Sequence, residues 1–101
     1  MSHAEAHTQT LTTVDEPPMF RVIYVNDDVT TVEFVSSSLI EIFKYTPETA
    51  EQITWDVHSN GSAIVAVLPY ELAEQKGSEV LTAARENQYP LQVRLEPDVS
   101  E

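Results

Sequence analysis

The chain has 101 residues, of which 42% are hydrophobic, with 17 Asp and Glu against 5 Lys and Arg and a formal charge of -12. That length suits one domain with a small core, which favours a surface pocket or groove over a deep, enclosed enzyme cavity. Arg21, Lys44, Lys76, Arg85 and Arg94 are scattered along the chain, whereas a nucleic-acid binder needs clustered cations, so DNA and RNA are excluded and basic partners or an amine-bearing ligand are favoured.

The absence of cysteine removes disulfides, thiolate catalysis and zinc-thiolate sites, and fits a cytoplasmic protein. No apolar run approaches the roughly 20 residues of a membrane span. The N-terminus carries no basic start followed by an apolar stretch, so no secretory signal is visible.

In chain order, residues 1–18 read as a flexible extension. Leu11 and Val14 are its only large apolar side chains after Met1, too few to offset the entropy of ordering. Pro17-Pro18 then stiffens the junction. Phe20-Arg21-Val22-Ile23-Tyr24-Val25 is β-branched and aromatic and predicts a strand, ended by the turn-favouring Asn26-Asp27-Asp28. Thr30 with Glu33 three residues on forms a capping box. Val32, Val35, Leu39 and Ile42 follow at helical spacing and predict a helix over 31–44.

Thr46-Pro47 opens a second helix, with Ala50, Ile53 and Val57 on one face and Asn60-Gly61 as its stop. The run Ala63-Ile64-Val65-Ala66-Val67-Leu68 predicts a buried central strand. Pro69 opens a third helix over 70–87. Its narrow face of Ala73, Gly77, Val80 and Ala84 implies close approach to another backbone. Leu91-Gln92-Val93-Arg94-Leu95 alternates like a half-exposed strand, ended by Pro97. The order βααβαβ predicts an α+β, two-layer sandwich of a three-stranded antiparallel sheet on three helices, spanning 19–97, with a short tail at 98–101.

Asn26-Asp27-Asp28, at the strand-to-helix junction, can terminate the strand, bind a metal or hold an ammonium. A metal needs more ligands of defined geometry, and His58 is the only histidine outside the extension. His58 falls in the last turn of the second helix, where it suits the helix dipole or accepts a hydrogen bond from an amine. A peptide α-amine has an ordinary pKa near 8, and carboxylates with an amide oxygen suit its three N–H donors. Val32, Val35 and Val57 can wall the adjoining side chain or simply pack the core. Enzyme readings find little: Ser36-Ser37-Ser38 lies within a helix without a suitably spaced base, and the glycines are too few for a phosphate loop.

The segment Phe20 to Asp28, followed by Thr30, Glu33, Phe34 and Val35, resembles the signature of the ClpS family, adaptors of the bacterial Clp protease. The resemblance continues in Asp56-Val57-His58 with Gly61, in Glu71 to Lys76, in Ala84-Arg85-Glu86-Asn87 and in Tyr89-Pro90-Leu91 through Leu95-Glu96. It implies an adaptor with no catalysis and no cofactor, acting as a monomer. Such a protein binds N-degrons, proteins whose first residue is Leu, Phe, Tyr or Trp, and hands them to the N-domain of a Clp-family AAA+ unfoldase. By the same resemblance, Asn26, Asp27 and His58 bind the α-amine. Thr30, Val32, Val35, Thr54, Val57 and Leu91 line or border the side-chain pocket, with Asp28 shaping its mouth as a turn residue. Glu71 and Lys76 belong to the unfoldase-docking surface, and the N-terminal extension serves delivery.

The chain departs from the family pattern at the pocket rim. Thr30-Thr31-Val32-Glu33-Phe34 stands where Thr-Pro-Met-Glu-Phe is usual, and Thr54 also occupies a position that is often Met. A shorter, β-branched gate implies a wider pocket and relaxed discrimination, including some acceptance of β-branched first residues. Two alternatives to an adaptor stay open: a regulatory protein that occupies the unfoldase without delivering N-degrons, and a metal- or carboxylate-dependent hydrolase.

Overall fold

The computed structural model describes residues 17–99. The β-branched and aromatic run forms strand β1 (Met19–Val25). Helices α1 (Val32–Glu41) and α2 (Pro47–Asn60), strand β2 (Ser62–Pro69), helix α3 (Tyr70–Glu86) and strand β3 (Gln92–Pro97) follow. The expected βααβαβ order, antiparallel sheet and three helices are all present. The extension expected at 1–18 falls outside the described residues except for Pro17 and Pro18.

The sheet order is β2-β1-β3, which corrects one expectation. The central strand is β1, not β2. Val22, Ile23 and Tyr24 are all buried, while β2 is an edge whose Ile64 pairs with Ile23 and remains 48% exposed. A continuous apolar run marks a strand but does not say which neighbours cover it. The β1–β2 ladder shifts register between Val22 and Ile23.

Helix α3 packs on all three strands, and α2 packs on β2 and α1. Val22, Tyr24 and Val65 meet Val35, Leu39, Ala50, Val57, Ala73, Val80 and Ala84 in one core. A buried polar contact fastens α1 to the sheet. The Ser38 hydroxyl donates to the Val35 carbonyl at 2.7 Å, so the Tyr24 hydroxyl, 2.7 Å away, donates to Ser38. Burial drives the Tyr24 phenol well above its ordinary pKa, against the lowering effect of Ser38. Tyr24 is therefore a neutral hydrogen-bonding core residue.

Local caps explain the helix ends. Thr31, not Thr30, caps α1, its side chain accepting from the Phe34 N–H at 3.1 Å. Thr30 is committed to Asp27 instead. The helix ends at Glu41 rather than 44, and Lys44 turns the chain with a left-handed φ of 64°. Thr46 caps α2 and Gly61 stops it at φ 85°, a conformation that suits glycine.

The small-residue face of α3 has a different cause from the one expected. A Cβ at Gly77 would meet the Val93 Cγ1 at 3.6 Å and the Leu95 Cδ2 at 3.9 Å, ordinary contacts with side chains and not with backbone. At the other end of the fold, Asp98 belongs to the sheet edge. Its N–H donates to the Met19 carbonyl at 2.9 Å, and its carboxylate receives the Arg21 Nε at 2.8 Å.

Candidate functional site

Three local features converge beside the end of β1. The Asn26 N–H donates to the Gly61 carbonyl at 2.9 Å, which docks the end of β1 against the C-terminus of α2. Because Gly61 closes α2, His58 in its last turn comes beside Asn26. The Asp27 turn then leads the chain into α1. Asn26, Asp27, Asp28, Thr30, Val32, Val35, Thr54, Val57 and His58 together line one cavity of about 220 Å³. All nine were candidates from the sequence.

The cavity has a polar side and an apolar side. Asn26, Asp27, Asp28 and His58 supply hydrogen-bonding groups, and the last turn of α2 adds the partial negative charge of a helix C-terminus. Val35 and Val57 form the opposite wall and are also part of the core. Packing and pocket lining are thus one role here. Thr54 is buried with its hydroxyl donated back to the Ala50 carbonyl at 2.7 Å, so it presents its methyl-bearing face without an unsatisfied donor. Val32, 45% exposed at the start of α1, stands at the rim.

Asp27 carries the turn, a duty the sequence reading gave to Asp28. Its Oδ1 accepts the N–H groups of Val29 at 2.8 Å and Thr30 at 2.7 Å, while Oδ2 accepts the Thr30 hydroxyl at 2.7 Å. A carboxylate has about four acceptor positions, so one on Oδ2 stays open. Burial raises the Asp27 pKa, but the Thr30 and Val29 donors and the Arg85 charge outweigh it and hold the carboxyl below its ordinary value. The result is a fixed anion at the pocket. Asp28 is exposed at the mouth.

Leu91 does not join the cavity. It is 1% exposed and packs in the core, because the strand it was placed in begins one residue later, at Gln92. Glu71 is exposed on α3, whereas Lys76 is half-buried and donates its Nζ to the Ile42 carbonyl at 2.8 Å. Lys76 thereby closes the C-terminal end of α1, a cation on a helix end.

Arg85 is the supporting residue that site-by-site reading of the sequence passed over. Its guanidinium donates to the Tyr89 and Leu91 carbonyls at 2.8 and 2.9 Å. That holds the Tyr89 ring against Phe34, with centroids 5.2 Å apart, and so braces the start of α1. Arg85 stands in the Ala84-Arg85-Glu86-Asn87 segment, to which the sequence reading gave no site role, and its partners lie four and six residues further on. Among the described residues, no group of three His, Asp or Glu side chains is placed to hold a metal ion, and no helix is long and apolar enough to cross a membrane.

Comparison with known proteins gives a consistent picture. Residues 15–94 match the family described as ATP-dependent Clp protease adaptor protein ClpS. The chain is 45% identical over 82 residues to the ATP-dependent Clp protease adapter protein ClpS of Clostridium acetobutylicum, covering 81% of each chain. It is 42% identical over 91 residues to that of Maricaulis maris, covering 90% of this chain and 84% of the relative. A solved structure of Agrobacterium tumefaciens ClpS2 bound to L-phenylalaninamide superposes with a TM-score of 0.79 at 32% identity, over 82% of this chain and 100% of the other.

Proposed function

Because the chain belongs to the ClpS family of ATP-dependent Clp protease adaptors, we propose that it binds the free α-amine and bulky first residue of N-degron proteins and delivers them to a Clp AAA+ unfoldase. The observation that carries this reading is the single cavity uniting Asn26, Asp27 and His58 with the apolar wall of Val35 and Val57. An α-ammonium has three N–H donors and a positive charge, which the open position on Asp27, the Asn26 amide oxygen and a His58 nitrogen can satisfy. The side chain of Leu, Phe, Tyr or Trp then lies against the apolar wall. The ligand of the Agrobacterium relative supports this, since L-phenylalaninamide carries a free α-amine, a benzyl side chain and a neutral amide in place of a second residue.

Family resemblance and placement support the remaining roles. Asp28 and Thr30 shape the mouth, and Val32 and Thr54 set its width. A valine gate favours tolerance of Ile and Val as first residues. Glu71, exposed on α3, belongs to the unfoldase-docking surface, with Lys76 fixing α1 beside it. No covalent step is required of any residue in the cavity.

The test is a titration of a fluorescent peptide beginning with Leu or Phe against the same peptide acetylated at its amine. Tight binding of the first and loss with the second is expected. Equal affinity for both would overturn the reading.

A further inference from the structure

Helix α1 is a wall with a hollow on either side. Val32 and Val35 line the amine pocket. Toward the end of α3, Thr31, Phe34 and Ser37 line a second hollow of about 450 Å³, which Asn87 and Tyr89 bound from the other side. Val32 and Phe34 leave the helix in nearly opposite directions, since two residues turn an α-helix by about 200°. Thr31, Val32 and Glu33 are all exposed, so Phe34 is the first side chain of α1 with packing behind it. Where the Val32 gate stands therefore depends on what Phe34 rests against.

It rests against Tyr89, edge to face, with ring centroids 5.2 Å apart and an interplanar angle of 60°. Tyr89 is fixed at both backbone groups. Its N–H donates to the Ala84 carbonyl at 2.9 Å, and its carbonyl accepts from Arg85 at 2.8 Å. Its hydroxyl lies 3.4 Å from the Thr31 Oγ1, too far for a strong bond, so the ring and not the hydroxyl carries the contact. We infer that Tyr89 is a positioning residue for the first-residue pocket: through Phe34 it fixes the start of α1, and with it the width of the pocket at Val32. This inference rests on the N-degron reading of the pocket. Without the ring, the start of α1 relaxes into the hollow behind it and draws Val32 away from the rim. The pocket widens, which favours Trp over Leu as the first residue.

The full chain is titrated by fluorescence anisotropy with labelled free-amine peptides beginning with Leu and with Trp, and with the acetylated Leu peptide. Urea denaturation gives the folded fraction of each variant. Tyr89→Ala should shift the Trp-over-Leu preference of the folded protein roughly two- to tenfold toward Trp, the scale of one aromatic edge pair. Tyr89→Phe keeps the ring and should keep the wild-type preference. Phe34→Leu breaks the same pair from the α1 side and should shift the preference the same way; it decides the matter if Tyr89→Ala does not fold. In the double variant the two shifts should not add, because both remove one contact. Tyr70→Ala removes the edge pair with Phe20, centroids 4.9 Å apart, at the far end of β1, and should leave the preference unmoved. A preference that stays put in Phe34→Leu or in folded Tyr89→Ala, that moves equally in Tyr70→Ala, or that is lost in Tyr89→Phe overturns the positioning role alone. Equal binding of the free and acetylated Leu peptides by the wild type overturns the amine pocket, and the positioning role with it.

Discussion

Asp27 holds Thr30 with both carboxylate oxygens, Oδ1 accepting its N–H and Oδ2 its hydroxyl, each at 2.7 Å. The carboxylate is therefore oriented before any ligand arrives, and an incoming ammonium does not have to order it. Thr30→Val keeps the shape and removes one of these bonds. It should weaken binding of a Leu-first peptide by about 0.5–1.5 kcal/mol, the net value of a hydrogen bond. Asp27→Ala removes the anion as well and should cost about 1.5–3 kcal/mol, the scale for a charged partner. Fluorescence anisotropy on both variants checks this. Full affinity in Thr30→Val would separate the turn from the amine site.

The same contacts set the pH range. Burial pushes the Asp27 carboxyl up, but the Thr30 and Val29 donors and Arg85 leave it depressed relative to the unfolded chain. A depressed carboxyl contributes stability above its unfolded pKa, about 3.9, and loses it as pH falls through the folded value. The peptide amine sets the opposite limit, losing its charge above roughly pH 8. Affinity for a Leu-first peptide should decline above about pH 8 as the ligand amine loses its charge, and the stability contributed by Asp27 should survive acid until below the ordinary carboxylate range. Peptide titrations with circular dichroism recorded at each pH separate loss of binding from unfolding. A stability difference between the wild type and Asp27→Asn that already disappears above about pH 5 would contradict a depressed Asp27.

How far the sequence discloses this molecule depends on the range of the interaction involved. Strand β1, the Thr46-Pro47 helix start and the Gly61 stop are set by neighbouring residues, and they are legible. The ends of α1 and α3 are less so, because Lys44 and Gln88 take left-handed φ values of 64° and 63° without a glycine to announce it. The edge position of β2 follows from sheet order, which an apolar run does not encode. The pocket lining was legible because family motifs on separate elements supplied its residues, and the fold gathers them at one cavity. The structural contacts of Arg85 and Lys76 were not, since each acts on backbone carbonyls outside its own helix. Asp27 and Asp28 are adjacent carboxylates, and only geometry tells the turn-former from the exposed one.

Leu91 tests where the pocket stops and the core begins. It is 1% exposed and lies outside the cavity. Leu91→Ala should therefore destabilise the fold by about 2–5 kcal/mol, as for other buried leucines. The folded fraction should still bind a Leu-first peptide with near wild-type affinity. Urea denaturation and peptide titration of the same sample read the two effects. Weakened binding without lost stability would return Leu91 to the pocket wall.

Gly77 offers a stabilising change away from the site. It lies within α3, where glycine costs about 1 kcal/mol relative to alanine. The space for a methyl group already exists, since the nearest atoms would be the Val93 and Leu95 side chains at 3.6 and 3.9 Å. Gly77→Ala should raise stability by about 0.5–1 kcal/mol, partly by restricting the unfolded chain. For a domain of this size that is a rise of about 2–8 °C in Tm. Arg85 lies in the last turn of α3, and its contacts brace the start of α1. Peptide affinity unchanged beside the higher Tm would show that α3 keeps its seat on the sheet. A lower Tm would mean that the methyl pushes α3 off β3, and weaker peptide binding in the same variant would trace that displacement through Arg85 to the pocket.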